Sequence, residues 1–386
     1  MRGANLDSRI ESILGQEAGK PSGEIHIGQL GGLDTVLVEP DPSGDVLARA
    51  CSVAASRRSV LVIAGDVPEP VSMLLDDDAL TKFVGLSGEI LRVAVGPAPT
   101  SSLSAAIHRA AEFSVVIGTE NAVRPDSLAD GASEAVRLVE KFLNVASGRL
   151  PSRVVEQNSL SVIERLPFDV DTAYDVRRVV LEVLDDGSLL EYGQTYGPEI
   201  LTGLGQVGGR TVGVIANVRS ATGSRVGGEG WRKIVRLLGV CRETRMPTLV
   251  LVDVDGFTMR PDMAIVDDLA QVAALLRSDD AKLVVLITGR AAGHAAAVVG
   301  TFDSSAHTTA WPKAEIIRSV PSDIEFGCTP MYSVKSCAVN GIDVARLGGL
   351  LDVIHPDDTR SVLVESISSL YAESVHEERY ASTSRG

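Results

Sequence analysis

Acidic and basic side chains in the second half of the sequence are the first candidates for chemistry. Asp253, Asp255 and Asp262 surround Gly256, and three carboxylates this close together could hold a metal ion. The alternative, which we favour, is that these aspartates shape turns. A basic run on the preceding predicted helix indicates either a solvated face or a contact with phosphate groups: Arg232, Lys233 and Arg236. No Ser-His-Asp order and no P-loop occurs.

The elements that must position these residues lie between Tyr196 and Asp255. β-Branched residues at 211–218 predict a strand that is buried on both faces. The glycine-rich stretch Gly223–Gly230 then leads to a predicted helix, Trp231–Arg245, whose apolar positions share one stripe. A second buried strand at 246–257 ends in a turn at Gly256. Strand, helix and strand with short connections predict one right-handed βαβ unit.

Composition and charge limit the class of protein. A chain of 386 residues with 45% apolar content can bury substantial cores, and its length predicts two domains. No apolar run reaches transmembrane length, and the acidic N terminus lacks the apolar segment of a signal peptide. The cysteines are widely spaced, which argues against a zinc ribbon or a disulfide scaffold and indicates the reduced cytoplasm. A net charge of −15 disfavours nucleic acid and anionic membranes as partners.

The predicted order of elements occurs twice along the chain. Each half contains a glycine-bearing pair of strands, followed by further strands that alternate with helices. The matched strands are 35–40 with 211–218, 57–67 with 246–257, 89–105 with 282–296, and 113–123 with 308–316. A repeat of this length predicts two copies of one α/β unit rather than a solenoid.

A series of short motifs, mostly in the second half of the chain, recurs in one known family in the same order. The motifs are Tyr196-Gly197, Ile200-Leu201, Thr202-Gly203, Gly208–Gly213, Ala216-Asn217, Gly227-Gly228, Lys233, Arg236, Cys241, Met246-Pro247, Asp253, Gly256-Phe257, Ala310–Pro312, Ala314–Ile316, Val353-Ile354, Pro356 and Asp358–Arg360. With them the chain resembles the carboxyltransferase β subunits of biotin-dependent acyl-CoA carboxylases, such as the propionyl-CoA enzyme. The similarity is strong from about Tyr174 to Tyr371 and faint before it.

The resemblance implies an α/β fold of two tandem crotonase-like domains, each a superhelix of ββα turns. We expect a flexible N-terminal arm at 1–23, a degenerate N-terminal carboxyltransferase domain at 24–165, a C-terminal carboxyltransferase domain at 172–372, and a tail at 373–386. Residues 149–160 are interpreted as linker.

The family's chemistry proceeds through an enolate, whose oxygen needs preorganised backbone N–H donors at a glycine turn that opens a helix. In the C-terminal half the resemblance places this oxyanion hole at Gly293, His294 and Ala295. His294 stands where the family has glycine. We favour a tolerated substitution, because a backbone donor needs no particular side chain. The alternative is that His294 points into the pocket, where it acts in proton transfer or fills the place of biotin.

In the N-terminal half the equivalent turn begins at Gly96, and both oxyanion glycines of the family are replaced, by Thr100 and Ser101. Pro99 also removes an N–H group just before them. A hydroxyl-based replacement is one interpretation of Thr100 and Ser101, and the one we favour is an N-cap for the next helix. The predicted substrate-binding residues are Gly96, Tyr196, Gly227, Gly228, Gly256 and Phe257, although Tyr196 could also simply pack.

The resemblance implies that the protein moves a carboxyl group between carboxybiotin and the α-carbon of an acyl thioester. The expected ligands are a CoA or acyl-carrier thioester and biotin on a separate carrier chain, with no metal. The expected partners are a biotin carboxylase or carrier subunit and further copies of the chain, as a dimer or a trimer of dimers. Two alternatives remain: a biotin-independent decarboxylase or other thioester-transforming enzyme of specialised metabolism, and a non-catalytic partner of an intact carboxyltransferase.

Overall fold

The computed structural model describes two compact units. They comprise Met1–Ser147 with Gly193–Thr195, and Gly148–Tyr192 with Tyr196–Gly386. Within them the structure describes residues 4–15, 23–41, 45–67, 76–118, 124–149, 172–220, 223–257, 263–276, 278, 281–299, 306–317, 339–340 and 352–383. The predicted domain boundary at 165 and the predicted linker at 149–160 fall almost wholly outside these residues, so they stay predictions.

The first unit is built on a seven-stranded sheet whose strands follow one another in chain order. Only the pair β2–β3 is antiparallel, and the other neighbouring strands are parallel. The elements are β1 Ala4–Asn5, α1 Asp7–Leu14, β2 Ile25–Leu30, β3 Leu33–Val38, α2 Asp45–Arg57, β4 Val60–Ala64, α3 Asp76–Gly85, β5 Arg92–Pro97, α4 Ser102–Ala110, β6 Phe113–Ile117, β7 Ser127–Ala129 and α5 Ala132–Ala146.

The predicted flexible arm is wrong for residues 4–15. β1 extends the sheet beside β2, and α1 packs against α5. The physical reason is apolar spacing, because Leu6, Ile10 and Ile13 lie on one side of a short helix and are buried. Residues 1–3 and 16–22 lie outside the described residues.

The second unit contains a nine-stranded sheet with mixed strand directions. Its central strands β10, β12 and β14 are parallel, and β8 and β9 continue the sheet in antiparallel fashion. The elements are α6 Val176–Val183, β8 Leu190–Tyr192, β9 Ile200–Val207, β10 Arg210–Asn217, β11 Arg225–Val226, α7 Gly228–Thr244, β12 Thr248–Val254, β13 Gly256–Phe257, α8 Met263–Leu276, β14 Leu283–Ala292, α9 Gly293–Val298, β15 His307–Ala310, β16 Glu315–Ile317, β17 Val339–Asn340, β18 Asp352–Val353 and α10 Thr359–Thr383. The helix α10 therefore continues through most of the predicted tail.

The predicted internal repeat is present in the topology. The topology that the two units have in common begins with an antiparallel hairpin, β2–β3 in the first unit and β9–β10 in the second. Parallel strands then follow in chain order. Both hairpins turn through two glycines with positive φ, Gly31-Gly32 and Gly208-Gly209. Such turns match the right-handed twist of the strands that they join.

The predicted βαβ unit of the second half is confirmed, with α7 beginning three residues before the predicted start at Trp231. The helix lies so close to β10 that a Cβ on Gly213 would sit 2.2 Å from Cys241 Sγ. Cys241 is fully enclosed, and burial raises the pKa of its thiol to about 11. The cysteine is therefore an inert part of the core. Among the described helices, none is long and apolar enough to cross a membrane.

Candidate functional site

The predicted C-terminal oxyanion turn lies where β14 ends. Gly293 has φ +54°, a left-handed conformation that favours glycine, and it begins the short helix α9. No side chain caps this helix at its N-cap residue, Ala292. Ala295 is buried in its first turn. The side chain of His294 lies outside the described part of the chain, so its role stays a prediction.

The second unit gathers most of its predicted binding residues near this turn. Gly256 and Phe257 form β13, which pairs with β11 just before Gly227 and Gly228. Helix α9 packs against β13 and against the ends of β12 and β14. These residues therefore meet beyond the carboxyl ends of parallel strands, where open α/β sheets bind ligands.

Two of the predicted binding side chains pack inside the protein. The Phe257 ring is buried and lies 5.7 Å from the ring centroid of Trp231. Tyr196 is 8% exposed, and its backbone oxygen accepts a hydrogen bond from Lys233 Nζ at 3.3 Å. Most of the Tyr196 side chain is therefore packed inside the protein, as the alternative interpretation of this residue predicts.

The prediction of a solvated basic face is wrong for Lys233, which is 2% exposed. Its ammonium group also donates to the backbone oxygen of Ile200 at 2.7 Å. Burial lowers the pKa of Lys233 to about 8, although the nearby carboxylates of Glu191 and Glu199 oppose this shift. Arg232, by contrast, is partly exposed and pairs with Glu229 at 2.8 Å.

We expect the stability of the second unit to rise with pH between about 8 and 10.5 because of Lys233. Below that window both the folded and the unfolded chain hold the proton, and the folded chain bears the full cost of burying the charge. Within it the folded chain releases the proton first, so the cost is relieved. Urea unfolding followed by tryptophan fluorescence measures this rise, and Lys233→Met should remove it. An unchanged slope in the variant would contradict the assignment.

A buried network of charges, which the sequence analysis missed, joins the ends of the central strands of the second unit. Arg219 follows β10 and donates to both oxygens of Asp253, at 2.8 and 2.5 Å. It also donates to Asp255, at 3.0 Å to each oxygen. Arg290 on β14 donates to Asp255 at 2.7 Å and to Glu315 on β16 at 3.0 Å.

This network corrects the interpretation of the acidic cluster around Gly256. Asp253 and Asp255 do more than shape a turn, because both carboxylates are held by arginines. Burial opposes ionisation of Asp255, yet the hydrogen bonds and charge of Arg219 hold its pKa below the ordinary value. Asp255 also accepts from the backbone N–H of Ser224 at 2.8 Å, which fixes the stretch that leads into β11. Asp262 lies outside the described residues.

The predicted N-terminal site has a different character. Ser101 caps α4, because its hydroxyl oxygen accepts from Ser104 N at 2.9 Å, and the favoured N-cap interpretation is thereby confirmed. Thr100 donates its backbone N–H to Asp66 Oδ1 at 3.2 Å and its hydroxyl to Asp66 Oδ2. A Cβ on Gly96 would lie 2.8 Å from the backbone oxygen of Gly65, so a side chain at this position would clash with the turn after β4.

One cluster in the first unit has the residue types of a metal site. Among the described residues, Glu24, His26 and Glu39 bring three possible ligand atoms within 4.8 Å of one another. Arg9 already pairs with both carboxylates, at 2.9 Å from Glu24 and 3.6 Å from Glu39. The cluster is therefore a salt-bridge network.

Comparison with known proteins agrees with this geometry. A model of the carboxyl transferase domain family matches residues 128–317. The β6 subunit of the biotin-dependent acetyl-/propionyl-coenzyme A carboxylase of Mycobacterium tuberculosis is 30% identical over 274 residues, which are 65% of this chain and 57% of that protein. Subunit α of the methylmalonyl-CoA decarboxylase of Propionigenium modestum is 26% identical over 225 residues, which are 53% of this chain and 44% of that protein.

Solved structures confirm the predicted fold class. Transcarboxylase 12S, with methylmalonyl-coenzyme A and methylmalonic acid bound, superposes with a TM-score of 0.74 at 18% identity. The superposition covers 90% of this chain and 82% of that one, and it shows the tandem crotonase-like carboxyltransferase fold. The chain spans between 37% and 57% of the length of the curated relatives it matches. Residues 128–317 thus match the carboxyl transferase domain family, and the chain is similar to β subunits of biotin-dependent acyl-CoA carboxylases.

Proposed function

We propose that this protein acts in carboxyl transfer between carboxybiotin and the α-carbon of an acyl thioester, and that the Gly293–Ala295 turn stabilises the oxyanion. The observation that carries the proposal is the uncapped turn after β14. There Gly293 is left-handed, and no side chain of the N-cap residue occupies the first N–H groups of α9. Preorganised N–H donors of this kind suit a carbonyl oxygen that gains negative charge.

Buried ion pairs hold the strand ends around the turn in place. The network of Arg219, Asp253 and Asp255 fixes the ends of β10 and β12, and Arg290 fixes β14 just before Gly293. A turn that is held before the ligand arrives needs no reorganisation during the reaction. Carboxybiotin, presented by a separate carrier chain, would supply the carboxyl group. The chain's own part is to bind a carbonyl oxygen and to lower the energy of its anionic form.

The proposal includes partners. The relatives described above are subunits of larger enzymes, and the carboxylase among them is named as biotin-dependent. Transcarboxylase 12S is described as a hexamer. We therefore infer a biotin carboxylase or biotin carrier subunit as partner, an acyl-CoA or acyl-carrier thioester as substrate, and self-association as a dimer or trimer of dimers.

The decisive experiment measures loss of the carboxyl group from malonyl-CoA and from methylmalonyl-CoA by the purified protein, with and without free biotin. Loss that depends on biotin is the expected result, since it reports carboxyl transfer in reverse. Loss without biotin supports a repurposed decarboxylase instead. Absence of both binding and turnover overturns the proposal and favours a non-catalytic partner subunit.

Replacement of His294 by alanine is expected to change this rate by less than about threefold, because a backbone N–H donor does not depend on its side chain. The measurement is the pH profile of kcat in the wild type and in His294→Ala. Loss of one limb of the profile in the variant would show proton transfer by the imidazole and would contradict the expectation.

Specific observations favour the two alternatives. A decarboxylase subunit is among the relatives, and it shares 26% identity over 225 residues. The non-catalytic alternative is favoured by the N-terminal turn, in which Thr100 already donates to Asp66. Copurification of an intact carboxyltransferase, with no turnover by this chain alone, is the result that the second alternative predicts.

A further inference from the structure

Two turns at the carboxyl end of the first sheet are joined by the chain's own hydrogen bonds. One turn follows β4 at Gly65–Val67, and the other follows β5 and leads into α4. Four bonds connect them. Thr100 donates to Asp66 twice, Ser101 Oγ donates to the Val67 oxygen at 2.5 Å, and Val67 N donates to Ser104 Oγ at 3.3 Å. We call these four bonds the Asp66–Thr100 clasp.

The clasp occupies the place in this sheet where a ligand is expected. Ligands of open parallel α/β sheets lie beyond the carboxyl ends of the strands, between the turns that follow neighbouring strands. β4 and β5 are such neighbours, and they pair in parallel from Leu61–Arg92 to Ala64–Val95. A ligand carbonyl would have to separate the two turns and break bonds that are already made.

Asp66 is the part of the clasp that resembles a ligand. Its carboxylate is an anion, and it takes up the backbone N–H and the hydroxyl of Thr100 together. Pro97 and Pro99 offer no N–H in the same turn. A neutral carbonyl oxygen competes poorly with a carboxylate for the same donors, because hydrogen bonds to charged acceptors are the stronger ones.

The two units differ in this respect. In the second unit the turn after β14 carries Gly293, and the N-cap residue of the helix that it opens, Ala292, makes no side-chain cap. In the first unit the corresponding helix α4 is capped by Ser101, and its preceding residue is held by Asp66. Among the described residues, the turn of the first unit is therefore closed by the chain's own side chains, and the turn of the second unit lacks a side-chain cap at Ala292.

We propose that Asp66 is a built-in occupant of the N-terminal oxyanion turn, which excludes a thioester carbonyl from that turn. This inference rests on the proposed function. It makes Asp66 the residue that keeps the N-terminal turn closed.

The first test measures the hydrogen bonds of the clasp and does not depend on enzymatic activity. Hydrogen exchange at the Thr100 amide is measured in the full-length wild type and in Asp66→Ala, Asp66→Asn and Asp34→Ala. Asp66→Ala should speed exchange at this amide by about tenfold or more, the worth of one or two hydrogen bonds. Asp66→Asn keeps a side-chain oxygen acceptor and should change it less. Asp34 is exposed, and its removal controls for the loss of one negative charge.

The second test uses propionyl-CoA, a thioester with no carboxyl group to lose. In the wild type, propionyl-CoA should leave exchange at 96–104 unchanged. In Asp66→Ala it should slow exchange there, with binding about tenfold tighter than in Asp34→Ala. The proposal is overturned if propionyl-CoA slows exchange at the Thr100 amide in the wild type. It is also overturned if propionyl-CoA does not slow exchange at this amide in Asp66→Ala.

Failure of the proposed function gives a different pattern. In that case the biotin-dependent loss of a carboxyl group is absent, while the exchange of the Thr100 amide still responds to Asp66→Ala. An unchanged exchange rate at the Thr100 amide in Asp66→Ala would contradict the clasp. If carboxyl transfer is observed as well, the proposed function is still supported.

Discussion

Replacing Gly293 by alanine is expected to slow carboxyl transfer by about a hundredfold, the usual cost of losing one oxyanion donor. Gly293 has φ +54°, and an L-residue other than glycine or asparagine loses about 1–2 kcal/mol in this conformation. The turn in Gly293→Ala should therefore relax, which moves the first N–H groups of α9 away from the carbonyl oxygen. The measurement is kcat for biotin-dependent loss of the carboxyl group from malonyl-CoA, with KM determined alongside it.

Gly293→Asn is the matched control, because asparagine tolerates the left-handed region far better than alanine. It should keep most of the wild-type kcat although its side chain is larger. Tryptophan fluorescence confirms that both variants are folded around α7 and β15, since both tryptophans of the chain, Trp231 and Trp311, lie in the second unit. Equal losses in the two variants would point to crowding by any side chain and away from the backbone conformation.

Replacing Arg219 by methionine is expected to lower the free energy of unfolding of the second unit by about 3–5 kcal/mol, because the buried carboxylate of Asp253 then loses the arginine that neutralises it. Arg219 and Asp253 are each only 1% exposed. Burial by itself would lower the pKa of Arg219, and the hydrogen bonds to Asp253 and Asp255 instead hold it above its ordinary value. Urea unfolding followed by tryptophan fluorescence measures the loss.

Arg178→Met is the comparison for this prediction. Arg178 also pairs with a carboxylate, that of Asp175 at 3.8 Å, and both side chains are exposed, at 70% and 57%. Exposed pairs contribute about 0–1 kcal/mol, so this variant should change little. The double variant Arg219→Met/Asp253→Leu should recover part of the loss, since no buried charge then lacks its partner at that position. A loss in Arg219→Met no larger than in Arg178→Met would show that water reaches the network.

Local patterns in the sequence determined the secondary structure and the repeat. Alternating glycine turns and β-branched runs predict the hairpins and the buried strands, because both signals act within a few residues. The helix at Gly228–Thr244 follows from its apolar spacing in the same way. The N-terminal helix carried a similar signal in Leu6, Ile10 and Ile13, but its eight residues are too few for the pattern to stand out from an exposed arm.

Only the tertiary structure decided which polar side chains matter. Asp66 meets Thr100 across 34 positions, and Arg219 meets Asp253 and Asp255 across 34 and 36. No local pattern pairs residues at such distances, since strand order and register bring them together. Lys233 lies in a run that looks solvated in the sequence, and it is buried because α7 packs on the segment that holds Tyr196 and Ile200. The sequence alone thus indicated the fold, and the packing of strand ends decided that the N-terminal turn is closed by the chain's own side chains.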